Sequence, residues 1–190
     1  MESHRPLVIL DLDETIISAI EMNELHNVPH PEKFHSVNLE DIYQVFERPG
    51  LQQFLDILFD KYRVGVWTAA GLTYGLFIIK NFIVKDKADR NLEFFMWDDH
   101  CTYSYRTSKG QAKCIKLLDP LFKYNNVVLL DDNEDVLKQT NVTIDSEKFN
   151  VMNKYAHMDT FLNHAIKKIE RYFDDKHNKI ILRNEIHKLI

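Results

Sequence analysis

The stretch Leu7-Val8-Ile9-Leu10-Asp11-Leu12-Asp13-Glu14-Thr15-Ile16 decides how this chain reads. Four consecutive apolar side chains end abruptly in carboxylates. An unbroken apolar run fits a strand buried on both faces of a parallel sheet, because a strand with one wet face would alternate. Two more runs end in the same manner. Tyr62-Arg63-Val64-Gly65-Val66-Trp67 stops at Thr68, and Asn126-Val127-Val128-Leu129-Leu130 stops at Asp131-Asp132. Helical patterns separate them. Leu51, Phe54, Leu55 and Leu58 share one helix face, with Pro49 just ahead, where helix starts tolerate it. Tyr74–Val84 reads as a second helix. Ser108-Lys109-Gly110-Gln111 resembles a capping box and is expected to open a third, ending near Asp119-Pro120. Strands alternating with helices indicate an α/β domain with a parallel sheet.

One segment breaks the rhythm. His26-Asn27-Val28-Pro29-His30-Pro31 signals a loop. Phe34, Val37 and Leu39, then Ile42–Phe46, read as two short strands joined near Glu40-Asp41. Residues 18–47 are therefore expected to form a small β insertion after the first strand. Near the C-terminus Ile166, Ile169, Tyr172 and Phe173 mark an amphipathic helix with Asp159 as its cap. A helical tail is expected over residues 174–190, with a further short helix over Ile180–Ile190. The whole chain, 1–190, is read as one domain with its core over residues 6–173.

Composition excludes several classes. The 190 residues are 45% hydrophobic, too apolar for a disordered chain, and 5 Gly with 5 Pro exclude collagen-like or linker sequences. The net charge of -5 argues against a whole-surface nucleic-acid binder, so no direct nucleic-acid binding is expected. Cys101 and Cys114 are too few for a disulfide framework. No apolar run approaches the ~20 residues of a membrane span, and residues 1–5 are polar. The expectation is a soluble intracellular protein, nuclear or cytoplasmic, of undetermined oligomeric state.

In open α/β sheets the chemistry gathers at the carboxyl ends of the strands. Here those ends carry Asp11 and Asp13, Thr68, and Asp131-Asp132. Parallel strands would bring them to one crevice. Carboxylates and a hydroxyl together suit a hard divalent cation such as Mg²⁺, and an Asp beside it can attack phosphorus.

At these residues a resemblance becomes specific. Asp11-Leu12-Asp13-Glu14-Thr15 resembles the DxDxT signature of haloacid-dehalogenase-type phosphatases. More narrowly, the chain is similar to the NLI-interacting-factor-like family, which dephosphorylates the C-terminal repeat domain of RNA polymerase II. Arg48-Pro49-Gly50 before the first helix, Trp67-Thr68-Ala69-Ala70, the segment Trp97 to Cys101, Leu129-Leu130-Asp131-Asp132-Asn133 and Asp159-Thr160-Phe161-Leu162 follow in the family's order. Ordered motifs in their expected context are far more specific than any one of them.

The resemblance implies a haloacid-dehalogenase-like parallel sheet flanked by helices, and a Mg²⁺-dependent protein serine/threonine phosphatase. Asp11 would be the nucleophile and Asp13 the general acid and base. Asp11, Asp132, Asp131 and the Asp13 backbone carbonyl would serve Mg²⁺, and Thr15 would orient the loop. Thr68 and a lysine would bind the phosphoryl oxygens. The family carries that lysine at the start of the helix before the last strand. Lys109 is favoured on position, Lys113 on its spacing to Ile115 and Leu118, and Lys116 lies further along. The substrate implied is a phosphoprotein, with phosphoserine in the polymerase repeat or a similar proline-containing tail. In the small family members a β insertion holds an apolar pocket for a substrate proline, and Val37, Leu39 and Tyr43 stand there, although ordinary hairpin core would use the same residues. Two departures touch specificity. Ala70 replaces a Ser common in the family, and Trp97-Asp98-Asp99-His100 lacks an Arg that Arg106 could replace. A phosphatase of small-molecule phosphates and an inactive scaffold relative are the alternatives.

Overall fold

In chain order the strands are β1 (Leu7–Leu10), β2 (Ile17–Glu21), β3 (Ser36–Leu39), β4 (Tyr43–Glu47), β5 (Arg63–Trp67), β6 (Phe94–Met96), β7 (Thr102–Tyr103), β8 (Gln111–Ala112), β9 (Val127–Asp131) and β10 (Thr143–Asp145). The helices are α1 (Leu51–Lys61), α2 (Leu72–Ile78), α3 (Glu134–Leu137) and α4 (Phe161–Lys188). The structure is a computed structural model and describes residues 5–103, 111–118, 126–137 and 142–188.

β1 is the middle of a five-stranded parallel sheet ordered β10-β9-β1-β5-β6. Its neighbours are the other two apolar runs, and Leu10 pairs with Val66 on one side and Leu130 on the other. The period-two alternation explains why the runs are apolar throughout. Val8 and Leu10 face one core with Val64, Val66, Val128 and Leu130. Leu7 and Ile9 face the opposite core with Trp67, Val127 and Leu129. All four β1 side chains are fully buried, and each contributes roughly 1.5–3 kcal/mol of transfer free energy.

The first core is covered by α1, α2 and α4, through Leu51, Phe54, Leu55, Leu58, Ile78, Phe161, Leu162, Ala165, Ile166 and Ile169. The second is covered by the 3-10 turn Ile115–Leu118 and by α3, through Ile115, Leu118 and Val136. α2 runs on into a π-helical turn, Ile79–Val84, so the expected helix over 74–84 is present in two hydrogen-bonding registers. Gly50, with φ of +83°, caps α1 in a left-handed conformation that an L side chain would strain.

The insertion is a three-stranded antiparallel sheet, β2-β4-β3. The β3–β4 hairpin turns at Glu40 and Asp41, both at positive φ, where sequence reading places the turn. The third strand, β2, is additional to the two expected. Its Ile20 packs with Val28, Phe46 and Val151, anchoring the insertion to the segment after β10.

Two expectations change. Gln111 and Ala112 are not in a helix that starts at Ser108. They form β8, antiparallel to β7, and the only helical turn described in this region starts at Ile115. At the C-terminus α4 is one continuous helix through Lys188, which absorbs the separate helix expected over the tail. Asp159 accepts the Phe161 amide at 2.9 Å, as expected of its cap. None of the described helices is long and apolar enough to cross a membrane.

Candidate active site

The three central strands deliver their terminal residues to one edge of the sheet. The Asp11 amide continues the ladder by donating to Leu130 O at 3.0 Å. The chain then folds over itself. The amides of Thr15, Ile16 and Ile17 all donate to Leu12 O, and Glu14, at φ of +59°, donates to Ile17 O. This tight loop puts the Thr15 hydroxyl in the interior, 3.2 Å from Asp11 Oδ2, 3.4 Å from Asp132 Oδ1 and 3.0 Å from Ser146 Oγ.

Asp11, Asp131 and Asp132 offer carboxylate oxygens within 4.8 Å of one another. Asp11 and Asp131 are buried and Asp132 is half-buried. The buried Lys113 ammonium donates to Asp11 Oδ1 and, at 2.7 Å, to Asp131 Oδ2. The other oxygen of Asp131 accepts the Asn133 amide at 2.9 Å. Burial disfavours both charged forms here. For Asp11 burial dominates and pushes the carboxyl up to about 8, against the pull of Lys113 and with a further push from Asp131. For Lys113 the two carboxylates outweigh burial, so the amine is held above its ordinary value and stays charged.

Among the described residues, Lys113 pairs with Asp11 and Asp131, and Lys148 pairs with Glu14 at 2.5 Å at the rim. Asp132 is shifted upward by burial and by repulsion from Asp131 and Glu14. The clustered carboxylate oxygens of Asp11, Asp131 and Asp132 are a donor set that fits a hard divalent ion.

Thr68 follows β5 and is buried. Its amide continues the sheet to Met96 O, and its hydroxyl accepts the Ala70 amide at 3.0 Å. Asp13 is half-buried, and its Oδ1 accepts the Tyr74 hydroxyl at 2.5 Å. Of the insertion residues, Val37, Leu39 and Tyr43 are half-buried and pack against the main core. Tyr43 stands edge-on to Tyr74 at 6.4 Å and so links the insertion to the site.

Among the lysines, Lys113 is at the carboxylates and Lys116 is exposed. Lys109 and Arg106 lie outside the described residues. Gln111–Ala112 form β8, and the helical turn described after it begins at Ile115, two residues past Lys113.

Sequence reasoning missed three residues that build the site. Tyr74 and Ser146 carry no signal of their own. Arg48 was visible in Arg48-Pro49-Gly50, but its work was not. It is 1% exposed, donates to Thr15 O at 2.9 Å and Ser146 O at 3.0 Å, and grips Asp159 through Nε and Nη2 at 3.1 and 2.8 Å.

The profile of the NLI interacting factor-like phosphatases matches residues 6–180. The chain belongs to that family. Like other NLI interacting factor-like phosphatases it is a hydrolase of the CTD phosphatase-like kind. It is 40% identical over 146 residues to CTD phosphatase-like protein 355R of Invertebrate iridescent virus 3, covering 70% of this chain and 78% of that protein. The protein of the same name in Invertebrate iridescent virus 6 is 36% identical over 140 residues, covering 68% and 77%. Among solved structures, fission yeast RNA polymerase II CTD phosphatase Fcp1, a variant bound to beryllium fluoride, aligns with a TM-score of 0.59 at 19% identity over 97% of this chain. A second Fcp1 structure gives 0.56 at 20% identity over 93%. The chain spans about half the length of those solved chains, 55% and 54%. They share its haloacid-dehalogenase-like α/β fold.

Proposed function

We propose that this family member is a Mg²⁺-dependent protein serine/threonine phosphatase that works through an aspartyl-phosphate on Asp11. The observation that carries the reading is the convergence of Asp11, Lys113 and Asp131-Asp132 at the carboxyl edge of β1 and β9. A phosphoryl group stays anionic throughout transfer, so catalysis is chiefly positioning and charge neutralisation.

Asp11, Asp131 and Asp132 would hold Mg²⁺, with the Asp13 backbone carbonyl beside them. When bound, the ion neutralises charge on the transferring phosphoryl oxygens. Asp11 attacks phosphorus in line with the seryl oxygen. Asp13 gives a proton to that oxygen as the bond breaks, then takes one from the water that hydrolyses the intermediate. Lys113 and Thr68 bind the non-bridging oxygens. Thr15, fixed between Asp11, Asp132 and Ser146, holds the loop that carries both aspartates.

The substrate we infer is phosphoserine in a proline-containing tail such as the polymerase repeat. Val37, Leu39 and Tyr43 would offer it an apolar face beside Tyr74. Phosphate release from phosphoserine repeat peptides and from an aryl phosphate, with and without Mg²⁺, tests the reading. Mg²⁺-dependent release from the peptides supports it. Release from the aryl phosphate alone moves the substrate elsewhere, and none from either leaves the scaffold alternative.

A further inference from the structure

Asp13 must both give and take a proton, so the setting of its carboxyl plane matters as much as its identity. One contact on that carboxyl comes from α2. Tyr74 donates its hydroxyl to Asp13 Oδ1 at 2.5 Å, and among the described residues it makes no other hydrogen bond. The phenol is half-buried, with its hydroxyl turned onto the Asp13 carboxylate. α2 itself is seated closely. A side chain at Gly75 would run into the Phe95 ring, so glycine lets this helix lie against β6 and fixes where Tyr74 reaches. On its other side the Tyr74 ring meets Tyr43 of the insertion.

We propose that Tyr74 is a positioning residue for Asp13: its hydroxyl locks Oδ1 as an acceptor and so assigns the transferable proton to Oδ2. This rests on the phosphatase reading above and adds to it a named division of labour between the two oxygens. The proton account closes in both half-reactions. As Asp11 oxygen bonds to phosphorus, the seryl oxygen leaves with the bonding pair and takes the proton from Asp13 Oδ2. As water oxygen then bonds to phosphorus, the pair returns to Asp11 and the water proton returns to Asp13 Oδ2. Tyr74 keeps its own proton throughout. A carboxyl free to rotate would present the wrong oxygen, or the right one off axis, in part of the population.

The experiment is Tyr74→Phe, which keeps the ring and its contact with Tyr43. Cleavage of a phosphoserine peptide needs a proton for its alkoxide leaving group, whereas cleavage of a nitrophenyl phosphate does not. Single-turnover cleavage of the peptide should fall about tenfold or more, with KM within about twofold, while the nitrophenolate burst stays within about twofold of wild type. Equal losses on both substrates, a change in KM alone, or no change overturns the assignment. Absence of turnover by wild type on either substrate would instead overturn the phosphatase reading, and the inference with it. A thermal melt of the variant beside wild type confirms that both substrates meet the same folded protein.

Discussion

Arg48 and Asp159, 111 residues apart, form a two-point ion pair at 3.1 and 2.8 Å that ties the loop after β1 to the start of α4. The guanidinium lies between the Phe161 and Phe149 rings, 4.5 and 5.4 Å from their centroids, and its remaining amine serves the Thr15 and Ser146 carbonyls. Removing it would strand two buried carbonyls and a half-buried carboxylate at once. Arg48→Ala should lower unfolding free energy by about 3 kcal/mol in urea titrations and depress turnover in the fraction that stays folded. Arg48→Lys should recover only part of the loss, because an ammonium cannot reproduce the fork. A change within about 0.5 kcal/mol would show the pair to be passive.

Lys113 is the ammonium that stands between Asp11 and Asp131. Lys113→Ala should cost about a hundredfold or more in phosphate release, since it removes the charge proposed to bind the phosphoryl oxygens. Lys109→Ala, run in parallel, should stay within a fewfold of wild type. The reverse ranking would return the phosphate anchor to Lys109.

Asp11→Asn removes the proposed nucleophile and one carboxyl group while keeping the shape of the side chain. Turnover should fall by at least about a thousandfold with the fold intact by circular dichroism. Comparable turnover in a pure variant would refute the nucleophile assignment.

Much of this was legible in the chain, and the reason is physical. Leu7–Leu10 and Val127–Leu130 are buried on both faces, so no alternation blurs them, and the acids at their ends could be placed in one crevice from periodicity and the strand-end rule. β6 and β10 escaped notice because Phe94–Met96 and Thr143–Asp145 are three-residue edge strands with partly exposed side chains. The helix start read at Ser108–Gln111 does not hold for Gln111 and Ala112, which are claimed by pairing with β7, a partner local pattern cannot reveal. Tyr74 and Ser146 were silent because a tyrosine on a helix and a serine in a loop acquire meaning only from what the fold sets against them.

The burial of Asp11 gives the metal-free protein a characteristic response to pH. Its carboxyl, pushed up to about 8 from 3.8, keeps a proton in the folded state after the unfolded chain has released it. The native state then binds more protons, so stability falls as pH rises across that window. In EDTA the melting temperature should decline from about pH 5 to about pH 8, and Asp11→Asn should flatten the decline. Added Mg²⁺ should raise the melting temperature more at the alkaline end, because a cation favours the carboxylate form. Identical flat profiles for wild type and variant would contradict this.

Asp132→Ala should weaken that Mg²⁺ response and raise the Mg²⁺ concentration needed for half-maximal phosphate release by about tenfold, in keeping with its place in the acidic cluster. An unchanged Mg²⁺ titration would remove Asp132 from the ligand set.

The sheet order carries a consequence for how the enzyme comes into being. β1, β5 and β9 are immediate neighbours in space but are separated by more than fifty residues at each step of the chain. Closing such long loops is slow compared with forming helices. A nascent chain exposes Asp11 and Asp13 long before Asp131, Asp132 and Lys113 have been synthesised, and until then it has neither the charge cluster nor its counterion. On the proposed mechanism, catalytic competence arrives late and all at once, and on refolding from denaturant the return of activity should lag behind the return of helical signal.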